Sequence, residues 1–138
     1  MAAGQERHED FRTVGYAIAA LVQLANHRSD TPLPTSEIAS GTEMPERYLL
    51  QIMKTLKDAG LVTSLRGVQG GYKLAKPIGR ISLREVCEAI DGPPVVKSNI
   101  DGLTAVSQRL IEHALTDVAD AERRRLSAFT LEALKLSK

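Results

Sequence analysis

The 138 residues carry 18 Lys and Arg against 17 Asp and Glu, with 43% apolar and 4% aromatic residues. A chain of this length holds one domain or a small domain with an appendage, and its apolar content argues against disorder. The scarcity of aromatics and the lack of Trp disfavour a stacking platform for single-stranded nucleic acid.

Cys87 is the one cysteine, so no internal disulfide forms, and a reducing, cytoplasmic setting is expected. The longest apolar candidate, Val14 to Ala25, is too short to cross a bilayer, so no membrane partner is expected. Charge is unevenly placed. Residues 1–46 carry 3 basic and 7 acidic groups, residues 47–80 carry 7 and 1, and residues 81–138 carry 8 and 9. A cationic central third suits contact with a polyanion, although a solvated face would look the same.

Residues 1–10 are polar and read as a flexible start. Phe11, Val14, Ile18, Leu21, Val22 and Ala25 then fall at helical spacing, interrupted by Gly15, which would permit another element to approach closely. Asn26 to Pro34 reads as a loop. Thr35 is expected to cap a short second helix that places Ile38 inward and stops at Gly41. A third helix is expected from Pro45, with Leu49, Ile52, Met53 and Leu56 as its apolar stripe and Gly60 as its terminator.

The period then becomes strand-like. Leu61 to Arg66 and Tyr72 to Lys76 flank Gly67-Val68-Gln69-Gly70-Gly71, which predicts a hairpin with a slim glycine-rich tip. Ser82-Leu83-Arg84-Glu85 predicts a capping box, with Ile81 able to staple onto Val86, for a helix that closes at Asp91-Gly92-Pro93-Pro94. After a loop over 93–102, a long helix is expected over roughly Leu103 to Leu126, about 36 Å at 1.5 Å per residue. Its face of Leu103, Val106, Leu110, Ala114, Val118 and Ala121 is more than so small a body can bury, and a second copy of the chain is the simplest cover. Phe129, Leu131, Leu134 and Leu136 are expected to fold back over that interface.

The expected fold is mainly α with a small β-hairpin: a winged helix-turn-helix over 11–92 and a helical dimerisation region over 103–138. The second helix of such a pair enters the major groove of duplex DNA with its N-terminal residues foremost, here Pro45, Glu46, Arg47 and Tyr48. Arg47 and Gln51 have the chemistry to read a guanine and an adenine, or to meet phosphate or solvent. Lys54 and Lys57 suit a phosphate or plain solvent, and Tyr48 suits either a phosphate contact or the core. Thr35 and Ser36 begin a helix whose N–H groups favour a phosphate oxygen. On the wing, Arg66 can enter a minor groove, with Gln69, Gly70 and Lys73 beside it.

No nucleophile has a base and an orienting group at a recognisable spacing, so no enzyme is expected. Glu85 and Glu88 read as capping and surface residues, and Asp91 as part of a turn. His8, His27 and His113 follow no metal-binding spacing, and neither cofactor nor metal is expected.

The sequence over about 11–136 resembles the Rrf-type bacterial transcription regulators. The resemblance rests on Tyr48-Leu49 with Gln51, Ala59-Gly60-Leu61-Val62, Ser64, Arg66-Gly67, Gly70-Gly71-Tyr72 and Leu74-Ala75-Lys76-Pro77. Tyr16-Ala17 and Glu88-Ala89-Ile90 before Gly92 add to it. It implies a homodimer on pseudo-palindromic promoter DNA, usually a repressor and sometimes an activator. Members of the group that sense through an iron–sulfur cluster keep three cysteines before the long helix, some with a histidine early in it. Here Gly92 to Gly102 holds no cysteine, and Gly102 and Ala105 stand where a cysteine and the histidine would fall. Cys87 reads as a core thiol. Leu50 replaces a base-reading glutamate of some members, and Gly15 replaces a basic residue. The expectation is thus a regulator without an intrinsic cluster, set by a small-molecule effector or by complex formation with a metabolic enzyme or other protein.

Overall fold

The computed structural model describes residues 2–27, 30–92 and 101–135, with side chains over 12–27, 30–92 and 101–134. The apolar stripes converge on one buried cluster. α1 (Ala2–Asn26) supplies Val14, Ala17, Ala20, Leu21 and Leu24, and α2 (Thr35–Thr42) supplies Ile38. α3 (Glu46–Asp58) adds Leu49, Ile52, Met53 and Leu56, all nearly inaccessible. Each leucine-sized side chain so buried contributes about 1.5–3 kcal/mol, and this fixes which face of α3 is left outward. A two-stranded antiparallel hairpin, β1 (Val62–Leu65) and β2 (Gly71–Leu74), follows, then a 3₁₀ turn at Ile78–Arg80. α4 (Leu83–Asp91), α5 (Ala105–Ala128) and α6 (Glu132–Lys135) complete the order. Among the described residues the fold is mainly α with a small hairpin, as the periodicities predict.

Several boundaries differ from expectation for identifiable reasons. α1 is helical from Ala2, since residues 2–10 contain good helix formers and no proline. At Gly15 none of the described residues lies within 4 Å of where a Cβ would be, so no described element approaches closely there. α2 is capped by Pro34 rather than Thr35, which is its first helical residue, and the Pro34 carbonyl accepts from the N–H groups of Glu37 and Ile38. Gly41 lies inside α2 and Glu43 ends it, in the left-handed region at φ 55°. Pro45 is likewise the N-cap of α3 and not its first residue. Its extended ψ of 134° keeps it outside the helix while its carbonyl accepts from the Leu49 N–H at 3.0 Å. Gly60 ends α3 as expected, at φ 79°. The N–H of Leu61 bonds back to Leu56 and that of Gly60 to Lys57, closing the helix with a Schellman motif.

The capping box of α4 forms in full. The Glu85 N–H donates to Ser82 Oγ at 3.2 Å, and the Ser82 N–H donates to Glu85 Oε2 at 2.9 Å. Ile81 and Val86, the expected staple pair, are both buried. Lys76 pairs with the other oxygen of Glu85. Burial pushes the Glu85 carboxyl up, but hydrogen bonds from Lys76 and Ser82 outweigh that and leave it below its ordinary value. Ser82→Ala should therefore cost about 1 kcal/mol of folding stability, read from the midpoint of urea unfolding. An unchanged midpoint would show the cap to be idle.

The long helix spans Ala105–Ala128 with Thr104 as N-cap, so Leu103 precedes it. None of its side chains is fully buried. The segment after it departs from expectation. Leu131 inserts into the core of its own body at 0% exposure, and α6 packs against α1 and the 3₁₀ turn instead of covering the face of the long helix. Backbone bonds from Leu83 N–H to Phe129 and from Leu131 N–H to Ile81 lock it there, at 2.8 and 2.9 Å. Of the other expectations, most of the loop (93–100) and Leu136 lie outside the described residues. Among the described residues no helix is long and apolar enough to cross a membrane.

Candidate nucleic-acid interface

Three residues, Glu43-Met44-Pro45, join α2 to α3, and Met44 is buried beneath the turn. With the apolar stripe turned inward, the opposite side of α3 presents Arg47, Leu50, Gln51, Lys54 and Lys57, all exposed. Pro45 and Glu46 are exposed at its start, where a carboxylate is favoured by the helix dipole. Thr55 Oγ1 donates to the Gln51 carbonyl at 3.0 Å, leaving the Gln51 side chain on the outer face.

Tyr48 differs from these. It is half-buried, its ring meets Tyr16 edge-on at 5.7 Å, and its hydroxyl lies 2.7 Å from Thr13 Oγ1. Of the two roles open to it, the structure displays the packing one: Tyr48 ties α3 to α1.

The wing is built on close backbone approach. Its register pairs Val62 with Leu74, Thr63 with Lys73, Ser64 with Tyr72 and Leu65 with Gly71. A Cβ on Gly70 would lie 2.2 Å from the Leu65 carbonyl oxygen, and one on Gly71 would lie 2.3 Å from that of Leu33. No side chain fits at either position. Leu33 and Tyr72 exchange N–H···O bonds of 2.9 and 3.0 Å, a bridge the alternation pattern did not reveal. It ties the tip-proximal part of β2 to the segment immediately before Thr35 and Ser36, and so joins the wing to the start of the helix-turn-helix.

Arg66, Gln69 and Lys73 are exposed on the wing, Gly70 is half-buried, and Thr35 and Ser36 sit half-buried and exposed at the start of α2. Two apolar wing residues escaped sequence reasoning: Leu65 is 57% exposed, and Val68 stands fully exposed at the tip. Strand alternation places Leu65 opposite Val62 but cannot say that its side faces solvent. Lys76 is neutralised by Glu85, which leaves Arg47, Lys54, Lys57, Arg66 and Lys73 as the cations of α3 and wing.

On α5, Val106, Leu110 and Val118 are 58%, 66% and 65% exposed, with Ala114 and Ala121 exposed between and beyond them. Leu103, ahead of the helix, is half-buried. The other side of α5 meets α4: Arg84 donates to Ser127 Oγ at 3.4 Å, and Arg123 lies 3.9 Å from Glu88. The apolar face thus points away from the body to which the helix is fixed.

A helix-turn-helix with a hairpin wing and a cationic outer face defines a winged-helix DNA-binding regulator. The chain belongs to the Rrf2 family, described as iron-dependent transcriptional regulators, which it matches over residues 12–135. It is 40% identical over 108 residues to a Mycobacterium tuberculosis protein named as an HTH-type transcriptional regulator, covering 78% of this chain and 66% of that one. It therefore spans just under two thirds of that relative's length. It is 34% identical over 122 residues to IscR of Photorhabdus laumondii, covering 86% of this chain and 74% of that one. CymR, the global cysteine regulator of B. subtilis, superposes with a TM-score of 0.66 at 26% identity, over 91% of this chain and 95% of CymR. The fold and the family are those of DNA-binding transcription regulators, and the named relatives are regulators rather than enzymes.

The family description raises iron, and the donors of this chain do not fit an iron–sulfur cluster. Such a cluster takes cysteine thiolates, and Cys87 is the chain's one cysteine. Cys87 packs half-buried against the core, where burial first, then Asp91, Glu122 and Glu88, push its thiol up and disfavour the thiolate. Among the described residues no group of three His, Cys, Asp or Glu side chains could hold a metal ion.

Proposed function

We propose that the protein is a homodimeric repressor that binds a pseudo-palindromic promoter site without an intrinsic iron–sulfur cluster. The observation that carries this reading is the outer face of α3: Arg47, Gln51 and Lys54 stand exposed directly behind a stripe that is wholly buried. In this reading the start of α3 lies in the major groove, with Arg47 and Gln51 toward base edges and Glu46 able to accept from a cytosine amino group. Thr35 and Ser36 receive a phosphate at the N-terminus of α2. Arg66 enters the neighbouring minor groove, with Gln69, Gly70 and Lys73 along its walls.

The face of Leu103, Val106, Leu110, Ala114, Val118 and Ala121 packs on its counterpart in a second chain, so two reading heads are held at a fixed separation. Since the thiolates for a cluster are missing, the signal enters through a small-molecule effector or through a protein partner such as a metabolic enzyme. The protein acts in the cytoplasm, on the nucleoid.

Retardation of promoter DNA across a salt series tests the reading. Two protomers that place five cations each near phosphates release many counterions, so affinity should fall by about 10³-fold or more between about 50 and 200 mM salt. A flat salt response would exclude phosphate contact as the source of affinity.

A further inference from the structure

Leu50 is the one large apolar residue on the outward side of α3, and nothing in the body requires it there. It is 47% exposed, while Leu49, Ile52, Met53 and Leu56 on the same helix lie between 0% and 3%. Residues three and four apart are neighbours on a helix surface, so Leu50 lies next to Arg47 and Lys54, on one side of the polar face that also carries Gln51. It is the fifth residue of α3, within the N-terminal part that meets bases when such a helix docks.

We propose that Leu50 reads the 5-methyl group of a thymine in the major groove, giving each half-site one apolar determinant. This rests on α3 being the recognition helix. The C5-methyl of thymine is the apolar feature of the major-groove edge, whose other groups are hydrogen-bond donors and acceptors. A leucine pressed against those groups would strip water from them and return no bond, which is unfavourable. Against a methyl, both partners leave water together. Arg47 and Gln51 then supply the polar readout beside it, and the leucine excludes a bare cytosine edge at its own position.

The probe is a duplex selected by the full-length chain from a randomised pool, with each thymine replaced in turn by uracil. That exchange removes one methyl and keeps every hydrogen-bonding group and phosphate. The expected result is one thymine per half-site whose replacement weakens binding about fourfold, the worth of one buried methyl. Leu50→Ala should bind the thymine and uracil duplexes equally and melt at an unchanged temperature, because the side chain is exposed and alanine favours helix. Tolerance of uracil at every position, while Arg47→Ala still weakens binding, would overturn the proposal and spare the DNA face. Methyl dependence that persists in Leu50→Ala would overturn it too. If Arg47→Ala and Arg66→Ala also bind normally, the assignment of the DNA face falls with it.

Discussion

Arg66→Ala is expected to weaken promoter binding at least about thirtyfold, because an arginine reading a groove contributes about 1–3 kcal/mol and a dimer loses two. The residue sits immediately after β1, exposed, just where the chain turns into its glycine tip. Its position relative to α3 is not left to a floppy loop. The Leu33–Tyr72 bridge ties β2 to the segment before α2 close to the tip, and Gly70 and Gly71 allow carbonyl approaches that no side chain could accompany. A guanidinium on a rigid, narrow tip suits a narrow minor groove, where negative potential is enhanced. The salt slope of binding should also fall by about two, one unit for each lost cation. The exposed side chain makes no contribution to the core, so the unfolding midpoint should stay where it was. Fluorescence anisotropy against salt reads the affinity and the slope together. Full affinity with an unchanged slope would remove the wing from the interface.

If the proposed dimer forms through α5, Leu110→Glu is expected to leave a monomer at micromolar concentration and to lower operator affinity at least about a hundredfold. Leu110 is 66% exposed, in line with Val106 and Val118 and with small Ala114 between them. Closing two such faces together would bury this stripe, and a glutamate in each copy would place unpaired charge within it, which costs far more than a surface ion pair returns. The body should be unaffected, since α5 has no buried side chain and is held to α4 from its other side through Arg123, Arg84 and Ser127. Thr116→Glu, on an exposed part of α5 away from the stripe, should remain dimeric. Sedimentation equilibrium distinguishes the outcomes, and a dimer that survives Leu110→Glu would place the interface elsewhere.

Legibility in the sequence followed the range over which each determinant acts. The capping box at Ser82 and Glu85 was readable because its two hydrogen bonds span three residues, and both formed. The stripe of α3 was readable because its period is local, and all four expected residues are buried. What escaped was non-local or conformationally unsigned. Glu43 adopts a left-handed φ that no propensity assigns to glutamate. The two prolines serve as caps, a choice between adjacent positions that depends on ψ and not on residue type. Leu131 turned inward to its own core because the Ile81 carbonyl, distant in sequence, accepts from its N–H while the Leu83 N–H holds the neighbouring Phe129, and its hydrophobicity alone said only that it would be covered. On the interface itself, sequence chose the exposed cations of α3 and wing but gave Tyr48 two roles, of which its bond to Thr13 shows one. Leu65 and Val68 looked like ordinary apolar residues until their exposure was known, whereas Leu50 was marked out only by the residue it replaces in some family members.

Methylation protection on a duplex selected by the protein probes the whole arrangement at once, because guanine N7 reports the major groove and adenine N3 the minor. The expected pattern is two clusters of protected guanines, about 10–10.5 base pairs or a multiple apart, each flanked by protected adenines where Arg66 enters. A single cluster, or protection confined to one groove, would contradict a paired recognition helix and wing.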